Sequence, residues 1–242
     1  MMNVWGMTDV GLIRSENQDA YAVRAEEGFT VCVVCDGMGG PGGGRLASSL
    51  AVDAFLSSCM ANLRPDMTAQ QVQEVAEFAV AAANTAVYER SVRDGLRGMG
   101  TTLVSAVAWG EQALLSNVGD SRAYVIRPGG GGISRVTKDH SLVERLVDKG
   151  AITAEEARSY PGRNLITRAL GPEALSDSYR IDLRPGDYLL LCTDGLVSTV
   201  TDQEMEREIL RGDDNACLDR LLDIARDQGA PDNVTAVLLR QQ

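Results

Sequence analysis

Two apolar runs in this chain end in the same way, and that repetition limits what the chain can fold into. Val31-Cys32-Val33-Val34-Cys35 leads into Asp36-Gly37, and Tyr188-Leu189-Leu190-Leu191-Cys192-Thr193 leads into Asp194-Gly195. Unbroken apolar runs of this length, rich in Val and Leu, are expected to form strands buried on both faces. A carboxylate at the mouth of such a strand is held rigidly where water is scarce. The glycine after it tolerates backbone angles that other residues avoid, so its carbonyl can turn toward the same point. Two such strand ends side by side would make a cage for a hard, oxygen-seeking cation such as Mg²⁺ or Mn²⁺. Asp-Gly is also a favoured hairpin turn. Asp94-Gly95, which follows a charged helical stretch, needs no more than that. The segments around the other two pairs set them apart.

The elements are predicted to come in blocks. Strands are expected at 19–23 and 30–35, followed by two helices. The second helix carries Val72, Val75, Ala76, Ala79, Val80, Ala83 and Val87 on one stripe, opened by the capping box Thr68-x-x-Gln71. Strands are then predicted at 101–108, 112–117, 122–127 and 133–136, with a Pro-Gly-rich turn from Pro128 to Gly132. Further capping boxes at Ser141-x-x-Glu144, Thr153-x-x-Glu156 and Thr201-x-x-Glu204 each open a helix. Residues 158–178 look irregular, as a surface flap would, within a wider flap region of about 150–180. Strands at 179–183 and 187–192, two helices and a last strand at 235–240 complete the order. Runs of strands and then pairs of helices indicate an α+β fold with antiparallel sheets and helices on the outer faces.

At 242 residues with no Pro/Ser-rich linker, the chain is expected to be a single domain over 1–242. A net charge of −11 argues against a nucleic-acid partner, because phosphate binding needs a basic face. No apolar stretch reaches about 18 residues, so no membrane span is expected. The start, Met1-Met2-Asn3-Val4-Trp5, lacks the basic head and apolar body of a signal peptide, and the cytoplasm is the expected location. Cys32, Cys35, Cys59, Cys192 and Cys217 have no framework spacing and are expected to be reduced core thiols. Cys32-x-x-Cys35 resembles half of a zinc site. On an extended strand, however, the two side chains face opposite ways and lie ~10 Å apart, and with one His in the chain the ligands do not add up to zinc.

The candidate chemistry lies in four segments: Asp36-Gly37-Met38-Gly39-Gly40, Asn117-Val118-Gly119-Asp120-Ser121-Arg122, Thr193-Asp194-Gly195 and Asp232-Asn233-Val234-Thr235. Each places a carboxylate at an end of a predicted strand. Clustered carboxylates cannot all stay ionised without cations among them, because like charges at short range repel. Two cations bridged by one Asp would share a water of lowered pKa suited to attack on phosphorus. The Gly37-to-Gly44 run lacks the Gly-Lys-Ser/Thr ending of a phosphate-binding loop. His140, the lone histidine, stands just before the Ser141 capping box, where a role in opening the helix is favoured over one as general acid.

These segments in this order resemble the protein phosphatase 2C family, the metal-dependent serine/threonine phosphatases. The resemblance runs from Thr8-Asp9-x-Gly11-x-x-Arg14-x-x-Asn17-Gln18-Asp19 through Met99-Gly100-Thr101-Thr102, Asp139-His140-Ser141-Leu142 and Arg163-Asn164-x-Ile166-Thr167-Arg168-Ala169-Leu170-Gly171 to Asp232-Asn233-Val234-Thr235. Met38 after Asp-Gly resembles the bacterial branch. The resemblance implies a four-layer αββα sandwich and hydrolysis of phosphoserine and phosphothreonine in proteins by a water or hydroxide bridging two Mn²⁺ or Mg²⁺ ions. It implies that Asp36 bridges those ions, with the Gly37 carbonyl on one, and that Asp194 and Asp232 hold the second. Asp120 would help bind a third ion, Arg14 would grip the substrate phosphate, and Asp19 would act through water. The implied partners are phosphorylated proteins and the Ser/Thr kinase that makes them, with the phosphatase a monomer. Two alternatives are a catalytically weak relative that only binds phosphoproteins and a phosphatase dedicated to one regulator. Gln18, Arg45 and Tyr160 depart from the family pattern, which usually has Glu, an acidic residue and His there. None of the three is an expected ligand.

Overall fold

The computed structural model describes residues 2–26, 28–40, 42–171 and 175–242. In chain order the elements are β1 (Met2–Asp9), β2 (Asp19–Glu26), β3 (Phe29–Met38), α1 (Gly43–Asn62), α2 (Ala69–Asp94), β4 (Gly100–Thr101), β5 (Leu103–Trp109), β6 (Gln112–Val118) and β7 (Arg122–Arg127). There follow β8 (Gly132–Arg135), α3 (Leu142–Asp148), α4 (Ala154–Ser159), β9 (Asp177–Asp182), β10 (Tyr188–Cys192), α5 (Asp194–Val197), α6 (Asp202–Ile209), α7 (Cys217–Asp227) and β11 (Val234–Gln241). One sheet has the order β1-β11-β10-β7-β8. The other has the order β2-β3-β5-β6-β9, with β4 beside β3. Every pairing is antiparallel.

Strand alternation divides the core into three apolar layers, which makes four layers of structure. Val31, Val33 and Cys35 of β3 face Ala47, Phe55, Ala76 and Val80 of α1 and α2. Cys32 and Val34 of the same strand face Leu189, Leu191 and Val237 of the opposite sheet. Leu190 and Cys192 of β10 turn outward under Met205, Ile209 and Leu221 of α6 and α7. Cys32 and Cys35 therefore lie in different layers, and all five cysteines are buried free thiols. The stripe on α2 buries Val72, Ala76, Ala79, Val80, Ala83 and Val87, and Thr68 and Gln71 close the capping box. Asp94-Gly95 is the end of α2, where Gly95 takes a left-handed φ of 67° and caps the helix.

Several local expectations shift. The strand β1 lies where the sequence predicts none. It is an edge strand of mixed pattern that pairs with β11 from Met2↔Gln241 to Asp9↔Val234, and no apolar alternation marks it. The Thr153 and Thr201 boxes have both arms, whereas at Ser141 only the hydroxyl arm forms. Glu144 pairs with Arg135 at 3.0 Å instead of reaching back. In the flap region α4 runs to Ser159 and β9 begins at Asp177. Bridges Ser141↔Ile166 and Thr101↔Leu170 tie the stretch between to the body. Pro172, Glu173 and Ala174 of the expected flap lie outside the described residues. Among the described residues, no helix is long and apolar enough to cross a membrane.

Register brings the four motif segments to one end of the sandwich. Asp36 stands opposite Asp19 in the β2–β3 ladder, and Cys192 stands opposite Ala236 in the β10–β11 ladder. β5 begins opposite the end of β6, at Leu103↔Val118, which sets the Asp120 turn beside the end of β3.

Candidate active site

Backbone bonds fix the strand end that carries Asp36. The Asp36 N–H donates to Thr102 Oγ1 at 2.9 Å, while its carbonyl accepts from Thr102 N–H at 2.9 Å and from the Thr101 hydroxyl at 2.8 Å. Thr102 Oγ1 also lies 2.7 Å from Ser121 Oγ, which ties the Asp36 strand end to the Asp120 turn. In that turn Gly119 has φ +105° and packs so closely on Thr102 that a Cβ would lie 2.6 Å from Thr102 Cγ2. Thr193 links the two sheets. Its N–H donates to the Thr235 carbonyl at 3.0 Å, and its hydroxyl donates to Asp19 Oδ2 at 2.9 Å. The glycines after the two aspartates are required by space rather than by φ. A Cβ on Gly37 would collide with the carbonyl of Gly44, and one on Gly195 with the carbonyl of Asn233.

The carboxylates act on one another. Loss of water raises Asp36 well above the usual carboxylate range, and the charges of Asp19, Asp194, Asp120 and Asp232 raise it further. Burial pushes Asp19 up to about 7 against the hydrogen bonds of Thr235 and Thr193. Burial, with the charges of Asp194 and Asp139, pushes Asp120 up to about 7. Asp194 is raised by burial and then by Asp232. Arg14 faces this cluster, with Nη2 2.7 Å from Asp232 Oδ2 and its side chain 56% exposed. That bond raises the guanidinium pKa further, and the charges of Asp36 and Asp194 add to it.

The donor set suits a hard divalent cation. Asp194 Oδ1 is buried with no hydrogen-bond partner among the described residues, and a buried carboxylate oxygen without a partner is costly. Gly44 has to lack a side chain, since a Cβ there would lie 2.7 Å from the Gly37 carbonyl oxygen and 2.6 Å from Gln18 Oε1. Among the described residues, no three Asp, Glu, His or Cys side chains close around one point as a full ligand set would. The carboxylates are near enough to act on one another's charge. A cation there would complete its shell with water, as Mg²⁺ prefers.

All the carboxylates singled out in the sequence, and Arg14, fall within this cluster. His140 is buried and engaged on both ring nitrogens. Nδ1 accepts from the Gly119 N–H at 3.1 Å, and Nε2 lies 3.1 Å from both Asp177 Oδ2 and Arg168 Nη1. Gln18 bonds Glu16 and the Gly40 carbonyl through its amide, and its own carbonyl accepts from Gly37 N–H at 3.1 Å. Arg45 is exposed. Tyr160 lines an open cleft of ≈320 Å³ in the flap with Gly162, Arg163, Asn164 and Leu165. Asn233 has a role that the sequence did not suggest. Its Nδ2 donates to the carbonyls of Val10 and Glu16 at 2.9 and 3.0 Å, and its Oδ1 accepts from Gln18 N–H at 2.8 Å. It thereby clamps the loop that carries Arg14 to the strand start that carries Asp232. A polar residue at the mouth of a buried strand was the one available signal, and its partners lie more than 200 positions away.

Known proteins resemble this chain in sequence and fold. The chain is 37% identical over 234 residues to the serine/threonine protein phosphatase PstP of Mycobacterium tuberculosis, covering 96% of this chain and 43% of the relative, so it spans less than half of that protein's length. It is 35% identical to the serine/threonine phosphatase stp of Listeria monocytogenes, covering 97% of this chain and 94% of that one. A solved catalytic domain of PstP in complex with two manganese ions superposes with a TM-score of 0.83 at 33% identity, covering 99% of this chain and 97% of that one. The family model for protein phosphatase 2C matches residues 14–238. That match takes in Arg14 and all the clustered carboxylates, and with near-full-length relatives above 30% identity the chain belongs to the protein phosphatase 2C family.

Proposed function

We propose that this chain hydrolyses phosphoserine and phosphothreonine esters in proteins with the help of divalent cations. The observation that carries the reading is the carboxylate cluster itself, with the unpartnered Asp194 oxygen inside it and Arg14 at its rim. Asp36, the Gly37 carbonyl, Asp194 and Asp232 would hold two Mn²⁺ or Mg²⁺ ions, Asp120 would help bind a third, and Asp19, held by the Thr193 hydroxyl, would act through metal-bound water. When bound, such ions supply charge neutralisation and a water acidic enough to attack phosphorus. The relative solved with two manganese ions supports a two-ion site here.

The chain's own residues bind and orient. Arg14, already oriented by Asp232, presents a planar fork of N–H donors to a phosphate, which it can grip through two oxygens. The Asp36 backbone bonds to Thr102 and the Thr193 hydroxyl bond to Asp19 hold those two residues in place before substrate arrives. Met38 offers no proton to the leaving oxygen, and the ring of His140 is committed to Gly119, Asp177 and Arg168. Substrates would be phosphoproteins made by Ser/Thr kinases. The reading extends to one catalytic domain over 1–242 with a flap near 150–180, and to a monomer acting in the cytoplasm, with which the buried thiols agree.

A phosphothreonine peptide and p-nitrophenyl phosphate, each tested with Mn²⁺, Mg²⁺ and EDTA, test the proposal. Hydrolysis of both with either metal, lost on chelation, is expected. Full turnover after exhaustive chelation would overturn the metal assignment. Peptide binding without turnover under every condition would favour a phosphoprotein-binding relative instead.

A further inference from the structure

The loop between β1 and β2 carries Arg14, and directly before it stand two aliphatic side chains turned to solvent, Leu12 at 58% and Ile13 at 73% exposure. Their exposure is built by the backbone and is not the fraying of a slack loop. Gly11 takes φ +76° and donates its N–H to Asp9 Oδ1 at 2.9 Å. Leu12 N–H donates to the Ala230 carbonyl at 2.9 Å, and Asn233 holds Val10, Glu16 and Gln18 as described. Asp9 is anchored in turn by Arg226 at 2.6 Å. Single exposed apolar residues are ordinary on a protein surface. An adjacent pair on a pinned turn, one and two residues from the guanidinium that faces the carboxylate cluster, is not a scattered exposure.

Resting on the phosphatase reading, we propose that Leu12 and Ile13 form an apolar ledge that receives the side chain flanking the phosphorylated residue. Phosphopeptides with a bulky apolar neighbour would then be preferred. Successive Cα atoms are about 3.8 Å apart, so a peptide whose phosphate reaches Arg14 brings its next residues to the ledge. A chain of net charge −11 repels an anionic phosphopeptide at long range, and apolar contact adds affinity without opposing that field. Apolar side chains excluded from water here would also fix the peptide's direction past the carboxylates.

The test compares two phosphothreonine peptides, identical except that leucine or serine flanks the phosphothreonine on both sides, in competition with Mn²⁺ present. The unmodified chain should favour the leucine peptide by about tenfold in kcat/KM, the size expected for burying one such side chain. Leu12→Ser with Ile13→Ser should bring the ratio to within about twofold of one while the serine peptide is still turned over, and Ile13→Ser alone should lower it part of the way. Leu12→Met with Ile13→Leu should keep the preference. Equal rates for the two peptides with the unmodified chain would overturn the proposal. So would a double serine variant that slows both peptides alike and leaves the ratio intact, since that marks a merely structural role. If the unmodified chain cleaves neither peptide, the phosphatase reading falls and the ledge falls with it.

Discussion

Asp194 carries an oxygen that nothing among the described residues satisfies, and Asp36 beside it is held among four other acidic groups. Such residues have a stake in a cation that a surface aspartate does not. At saturating Mn²⁺, Asp36→Asn, Asp194→Asn and Asp232→Asn should each lower kcat on a phosphothreonine peptide by at least ~10²-fold, because each weakens the site that activates water. A variant with near-normal turnover would lose its assignment as a ligand. Asp120→Ala should slow turnover while calorimetry still finds two strong metal sites. His140 is a different case. His140→Ala frees the Gly119 N–H and the Asp177 carboxylate of a partner, which should cost roughly 1–3 kcal/mol in chemical denaturation. Aryl and peptide phosphates should be affected alike. A loss of ~10²-fold on the peptide alone would identify His140 as the acid that protonates the leaving group.

At the scale of elements, the site depends on how closely turns approach. The start of α5 meets the start of β11 so tightly that Gly195 has no room for a methyl group beside the Asn233 carbonyl. Gly195→Ala must push the two apart, and with them Asp194 and Asp232. We expect a drop in thermal stability together with weaker Mn²⁺ binding, read by a thermal melt with and without metal. Gly43, in the first turn of α1 with open space where a Cβ would project, is the control. Gly43→Ala should be neutral or stabilising by about 0.4–1 kcal/mol through the unfolded chain. If both substitutions behaved alike, close approach would not be what Gly195 provides.

For the whole molecule, the cluster makes stability depend on pH and metal together. Without metal, Asp19 and Asp120 hold their protons up to about 7 in the fold, whereas an unfolded aspartate lets go near 4. The folded state binds more protons between those values, so the chelated protein should lose stability as pH rises from about 4 to about 7. Melting in EDTA should therefore come at a lower temperature at pH 8 than at pH 5.5. Mn²⁺ should restore most of the difference, because a bound cation replaces the proton. A melting temperature that rose with pH in EDTA would contradict the raised carboxylates. The net charge of −11 works in the same direction, so Asp19→Asn is the informative variant and should flatten the profile.

Elements whose signal is local could be read from the chain. The apolar runs ending at Asp36 and Asp194 are strands buried on both faces, the α2 stripe and the Thr68 box mark a helix, and Gly95 ends it. Side-chain alternation and capping bonds act over a few residues, so they leave a trace in the order of residue types. Asp36, Asp120, Asp194 and Asp232 stood out for the same reason, since each lies at an end of a strand, whereas Asp19 and Arg14 were named only through the family resemblance. What only the folded chain decided is which of these ends meet. The Asp19–Asp36 register, the Thr193 bond across the sheets and the Asn233 clamp on the Arg14 loop join positions that in the last two cases lie 174 and 223 residues apart. β1 stayed hidden because an edge strand with mixed burial has no periodic pattern until β11 pairs with it. The crowding that requires Gly195, the missing partner of Asp194 Oδ1 and the exposure of Leu12 and Ile13 likewise arise from packing, which no local pattern encodes.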